Sequence, residues 1–293
     1  YNHVAGDGRE YVITDPTAVK IRAEDGRSIR CTDISMFIND LPNGKDTVRF
    51  TTEDASGSTS QAANVVESME AGTGLLLMDE DTSATNFMVR DELMQQVIHR
   101  DMEPITPFID RARELYDRYG ISTILVAGSS GAYFHIADHI LQMERYEPRD
   151  ITARAKAAAA AFPQAGAPLA PAKAPEFDRR PKATPEFSGE RVKLKSLGRD
   201  GVSIQRENID LRYVEQLCDG EQTAALGYCM LYAQKHLLDG KRTLTQVVDA
   251  LDSLIEQQGL AALCESRSSV PFLARPRRQE LFACFDRFRS LKL

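Results

Sequence analysis

Leu75-Leu76-Leu77-Met78 is a four-residue apolar run that passes directly into Asp79, Glu80 and Asp81. A short apolar run followed by acids reads as a buried strand that carries carboxylates out at its end. Adjacent carboxylates at such a point suit nucleotide hydrolysis. Asp79 can hold the water shell of Mg2+, and Glu80 can polarise the attacking water. Buried strands that emerge into polar loops also begin those loops with acids, and the run alone does not separate the two readings.

Upstream, Asp54-Ala55-Ser56-Gly57-Ser58-Thr59-Ser60-Gln61 is a polar run of small residues leading into a helical pattern. Glycine and exposed N–H groups at a helix N-terminus make a ready site for phosphate, with the hydroxyls of Ser56, Ser58 and Thr59 as further donors. A plain Ser/Thr cap is the commoner use of such residues. The interval favours phosphate: Ser56 precedes Asp79 by 23 residues, room for one helix and a return to the buried strand.

Other groups carry less. Gly128-Ser129-Ser130-Gly131 resembles a nucleophile elbow, but the pattern G-x-S-x-G needs Gly at position 132, where Ala stands. His135 and His139 are spaced as a helical metal pair without a third ligand in reach, so a structural role is favoured. Arg275, Arg277, Arg278, Arg287 and Arg289 could meet nucleic-acid phosphates, or could pair with acids of the same molecule.

The elements that must position these residues follow from periodicity. Short strands are expected at Glu10 to Thr14 and Ala18 to Arg22, and a helix from Ser60 with Ala62, Val65, Val66 and Met69 on one face. Helices are expected at about Val89 to His99 and from Pro107 to Tyr119, the latter stopped by Gly120. Ile121 to Ala127 reads as a second buried strand, and Ile140 to Met143 is a third apolar stretch. Strand, helix, strand with short loops implies a parallel α/β sheet, whose ligands lie beyond the carboxyl ends of its strands. Asp79 to Asp81 and Gly128 to Gly131 both fall at such ends.

Between Pro163 and Pro185 the chain carries six of its thirteen prolines, after the alanine run 157–161. We read 153–190 as a disordered or semi-extended linker. Beyond it a hairpin (Val192 to Lys195, Val202 to Gln205) and three helices are expected: Leu211 to Leu238 with a break near Gly220, Thr243 to Gln258, and Pro276 to Ser290. Three parts result: 1–152, the linker 153–190, and a small mainly helical unit at 191–293. The charge divides accordingly, for 1–150 hold 14 bases and 26 acids, and 151–293 hold 22 bases and 17 acids. No apolar run approaches the roughly 18 to 20 residues of a membrane span. The five cysteines contain no C-x-x-C pair, which points to a reducing, cytoplasmic setting.

Ala55-Ser56-Gly57-Ser58-Thr59 and Leu75 to Glu80 together resemble the signature and Walker B segments of an ABC-type ATPase, and Asp81 to Phe87 resembles its D-loop. Closer still is the resemblance to the stand-alone ATPases of the ABC class, which are not transporters. EDGRSI (24–29), LPNGKDTVRFTTEDASGSTSQAANVVE (41–67), DEDTSATNFMVRDE (79–92) and AGSSGAYFHIADHI (127–140) carry it, with IDLRYVEQL (209–217), DGKRTL (239–244) and LARPRR (273–278). The resemblance implies a P-loop NTPase core with a parallel sheet, incomplete at its N-terminus, and a mainly helical C-terminal unit. It also implies ATP and Mg2+ as cofactors, with Asp79 holding the metal and Glu80 as general base or water-orienting acid. Ser56, Gly57, Ser58, Thr59, Gln61, Asp81 and Ser83 are then expected at the nucleotide, which two copies share head to tail in a homodimer. The alternative is a nucleotide-gated clamp on RNA or DNA with weak or no turnover; no membrane partner is implied.

Two departures from that family qualify the expectation. Ser129 stands where a histidine is usual, and a hydroxyl cannot carry charge as imidazole does, so slow turnover is expected. No G-x-x-x-x-G-K-[ST] occurs in the 293 residues, and no Q-loop Gln is placed between Ile21 and Phe37. The expectation is that the missing loop precedes Tyr1, and that this chain alone has half of each site and little activity.

Overall fold

Asp79 ends the middle strand of a parallel sheet, and the order of elements explains why. In the computed structural model, residues 14–90, 103–162, 169–188, 192–264 and 271–293 are described. They begin with β1 (Val19–Ile21), β2 (Arg27–Thr32), β3 (Phe50–Ala55) and α1 (Gly57–Glu70), followed by β4 (Leu75–Asp79), α2 (Thr85–Met88), α3 (Ile109–Tyr119) and β5 (Ser122–Val126). β4 pairs in parallel with β1 (Val19 opposite Leu76) and with β5 (Leu75 opposite Ser122, Asp79 opposite Val126). The mixed α/β class with a parallel sheet is as expected. β2 and β3 form a separate antiparallel pair.

The helix expected from Ser60 starts three residues earlier, because Ser56 is its cap and accepts from Thr59 N. The helix expected from Pro107 is α3, and Gly120 closes it in the left-handed conformation, φ 69°. β5 departs from expectation: it reads as a buried run, yet Ile124 is 56% and Val126 64% exposed. It is one of the two edge strands, and Ser122, Ile124 and Val126 alternate along it onto one face of the sheet, which is left uncovered among the described residues. In the third apolar stretch Ile140 is buried but Leu141 and Met143 are exposed, in a hairpin of β6 (Leu141–Glu144) and β7 (Glu147–Asp150) that turns at Arg145 and Tyr146 with positive φ. The strand expected at 10–14 and the helix at 89–99 fall almost wholly outside the described residues.

The proline-rich stretch is not loose where it is described. After α4 (Thr152–Ala161), residues 169–188 run along the molecule and end in the short α5 (Pro185–Ser188). Phe177 packs on the core of the sheet, whereas Phe187 is buried in the core of the C-terminal unit. Between them Arg179, 4% exposed, bonds Glu70 at 2.5 Å and Asp286 at 2.7 Å. Composition suggested a disordered or semi-extended linker, and the described part from 169 to 184 is indeed without helix or named strand. The segment is held by two phenylalanines and one buried ionic anchor.

The C-terminal unit contains an antiparallel meander of β8 (Leu194–Ser196), β9 (Gly201–Ile204) and β10 (Glu207–Asp210), packed with α6 (Gly220–His236), α7 (Leu244–Gln258) and α8 (Arg278–Asp286). The long helix expected from Leu211 begins only at Gly220, because Asp219 accepts from the N–H groups of Glu221 and Gln222 and caps it there. Leu211, Val214 and Leu217 are buried without being helical.

Candidate active site

The parallel register builds the site. Since Asp79 lies opposite Val126, the chain leaves β4 and β5 at the same level, and the loop after β5 turns onto Glu80. Gly128 N and Ser129 N donate to Glu80 Oε2 at 2.7 and 3.0 Å, and Ser129 Oγ donates to Oε1 at 2.5 Å. The Ser129 hydroxyl, with the backbone N–H groups beside it, holds the Glu80 carboxyl below the usual carboxylate range. Tyr133 stands on the same side, its pKa pushed up by burial and then by the charge of Glu80, and its hydroxyl donates to Met88 O at 2.7 Å.

Asp79 Oδ1 accepts from Asp81 N at 3.1 Å, which turns the chain at the strand end. An incompletely buried oxygen donor there suits Mg2+, a hard cation that keeps several waters and needs few protein carboxylates. Among the described residues no group of three or more His, Cys, Asp and Glu is placed to hold a metal by itself.

α1 carries the other candidates. Ser56 is exposed, its hydroxyl 3.0 Å from that of Thr59. The cap reading of this serine therefore holds in the structure. Gly57 opens the helix against Ala23 and Asp25, where an added Cβ would stand 3.3 Å from each, so glycine suits the close approach. Ser58 is buried, with its hydroxyl 3.4 Å from Asn86 Nδ2.

Two of the residues expected at the nucleotide have partners inside the chain. Gln61 is fully buried: its amide donates to Ser83 Oγ at 2.9 Å and to Met88 Sδ at 3.4 Å, and accepts from Ala84 N at 2.9 Å. Ser83 Oγ in turn donates to Asp79 O at 2.8 Å. Gln61 and Ser83 thus tie α1 to the loop after Glu80. Asp81 stays exposed beside them.

The five C-terminal arginines are occupied too. Arg275 pairs with Asp252 and Glu256, Arg278 with Asp249, and Arg287 with Glu24. Arg277 is buried on Glu280 and donates to Pro16 O and Ala18 O at 2.7 and 3.0 Å. Arg289 donates to Gly26 O at 3.3 Å. Arg275, Arg277, Arg278 and Arg287 thus meet acids of their own chain, whereas Arg289 is half exposed, with Glu53 3.9 Å away.

An ABC_ATPase P-loop domain model matches residues 1–178. The chain belongs to the ABC ATPase P-loop family. A second model, the MRB1590 C-terminal domain, matches residues 193–293. The chain is also similar to Uncharacterized protein MJ1628 of Methanocaldococcus jannaschii, 30% identical over 130 residues, which are 44% of this chain and 28% of that protein. The chain thus spans well under a third of that relative. Among the described residues of this ABC ATPase chain no helix is long and apolar enough to cross a membrane. Sequence reasoning singled out neither Arg179 nor Glu24 nor Asn64. Arg179 sits in a low-complexity stretch, and Glu24 and Asn64 fall inside segments that carry the family resemblance without a pattern that assigns either a role.

Proposed function

We propose that the intact protein binds and hydrolyses ATP with Mg2+, and that two copies share each nucleotide head to tail. The arrangement that carries this reading is the pair Asp79 and Glu80 at the end of the central parallel strand, with Glu80 oriented by three donors of the loop after β5. Asp79 would hold the Mg2+, which when bound neutralises charge on the phosphates. Glu80 orients the attacking water and takes its proton, while Ser56, Gly57 and Ser58 at the N-terminus of α1 meet the γ-phosphate of a nucleotide bound to the other copy.

A carboxylate held ionised by three donors is a weak base, which supports slow turnover. The setting we infer is cytoplasmic. A clamp on RNA or DNA through the C-terminal arginines is the weaker reading, because four of the five are paired with acids of their own chain. The test is Mg2+-dependent phosphate release by the full-length protein, together with its mass in solution with and without ATP. No hydrolysis at any pH from 5 to 9 would end the catalytic reading, and a monomer under every nucleotide condition would end the shared site.

A further inference from the structure

The segment between β1 and β2 touches three things at once. Ala23 N donates to Thr82 O at 3.0 Å, in the turn that follows Glu80. Glu24 N donates to Ser60 Oγ at 2.8 Å, and its carboxylate accepts from Asn64 Nδ2 at 3.0 Å, so residue 24 is fastened to the first two turns of α1. The third contact comes from the far end of the chain. Arg287, just after α8, sends a guanidinium 9% exposed across the seam onto Glu24, 6% exposed. Its Nε meets Oε2 at 3.2 Å, and its Nη2 meets Oε1 and also Asn64 Oδ1, the latter at 3.2 Å.

A forked guanidinium with both partners buried is a directional contact, which a point charge does not reproduce. Burial alone would raise the pKa of Glu24; Arg287 and then Arg27 more than offset it, so the pair stays ionised. Ser60 and Asn64 stand one and two turns beyond Ser56, on a helix buried on nearly all sides. A change in where Arg287 sits is therefore felt at the N-terminus of α1.

We propose that Arg287 is a positioning residue for the ATPase site: the C-terminal unit sets the first turns of α1, and with them Ser56 to Thr59, through Glu24 and Asn64. This rests on reading Ser56 to Thr59 as the phosphate-contacting segment. It makes the C-terminal unit a regulator of turnover, since any ligand that shifts α8 shifts the same contact.

The test uses the full-length protein and two variants. Arg287→Lys keeps the charge and loses the fork. Glu24→Gln with Arg287→Met removes both charges and leaves no buried ion unpaired. Expected in each is a turnover lowered roughly tenfold or more, with ATP affinity within about twofold of wild type. Without nucleotide, the amides of residues 59–63 should exchange hydrogen at least about tenfold faster while those of 244–258 keep their protection. Wild-type turnover and wild-type exchange in both variants would overturn the assignment. So would loss of protection at 244–258 in both, which would make Arg287 a stability residue only. If the wild-type protein hydrolyses no ATP, the proposed function fails, and the exchange at 59–63 alone decides this inference.

Discussion

Ser129 Oγ lies 2.5 Å from Glu80 Oε1, and the two N–H groups beside it take Oε2. A histidine at this place would offer a titrating donor; the serine offers a neutral one, so the Glu80 carboxylate is steadied without a second charge that follows pH. The working form of Glu80 is ionised, hence activity falls as pH drops through its pKa, and a lowered pKa extends activity toward acid. Ser129→Ala removes the largest cause of the lowering. The acid limb of kcat/KM should then move to higher pH, toward the ordinary glutamate value of about 4.3. Superimposable limbs in wild type and variant would show that Ser129 does not tune Glu80.

Glu80→Gln tests the base itself. The amide keeps the size of the side chain and accepts no proton, so turnover should drop by about two to four orders of magnitude. ATP should still bind and should hold two copies together, read as doubled mass by light scattering. Hydrolysis at the wild-type rate would remove Glu80 from the mechanism.

What could be read in the sequence, and what could not, divides along α1. Its start, the buried strand at Leu75 and the acids after it are local patterns, and the structure places the strand at Leu75–Asp79 with Glu80 just beyond. The opposite face is different. Asn64, Glu67 and Glu70 recur at helical spacing and would ordinarily be assigned to solvent. All three are buried, because Arg27, Arg287 and Arg179 arrive from elsewhere to meet them. Two of those cations lie more than a hundred residues along the chain, one in a proline-rich stretch with no periodicity. Only the folded contact reveals such pairs. The same holds for Gln61, which the family resemblance placed at the nucleotide and whose partners here are Ser83 and Ala84.

Arg179 is expected to matter most for stability. Burial alone would depress its pKa; Asp286 and then Glu70 overcome this and raise it. Arg179→Met leaves two buried carboxylates without that cation, an expected loss of about 3–5 kcal/mol near neutral pH, measured by urea unfolding. Burial, which outweighs the attraction of Arg179, already raises the pKa of Asp286. With the arginine gone it should rise further, and a protonated Asp286 is cheaper to bury. The gap to wild type should therefore narrow as the pH falls from about 7 to 5. A gap independent of pH would mean that the carboxylates are not the source of the loss.

Ser56 has two candidate roles, and one substitution separates them. As a cap its oxygen accepts from Thr59 N at 3.4 Å, and aspartate caps a helix about as well as serine. As a contact to the γ-phosphate, the same position would have to tolerate a dianionic or more highly charged group, which aspartate repels. Ser56→Asp should therefore leave the unfolding midpoint within the equivalent of about 0.5 kcal/mol of wild type, while ATP-driven pairing and turnover fall by roughly tenfold or more. Ser56→Ala should show the reverse weighting: a stability loss of about 1 kcal/mol, with pairing less affected than in the aspartate variant. Full activity in Ser56→Asp would make Ser56 a cap and nothing more, and would move the phosphate contact away from the head of α1.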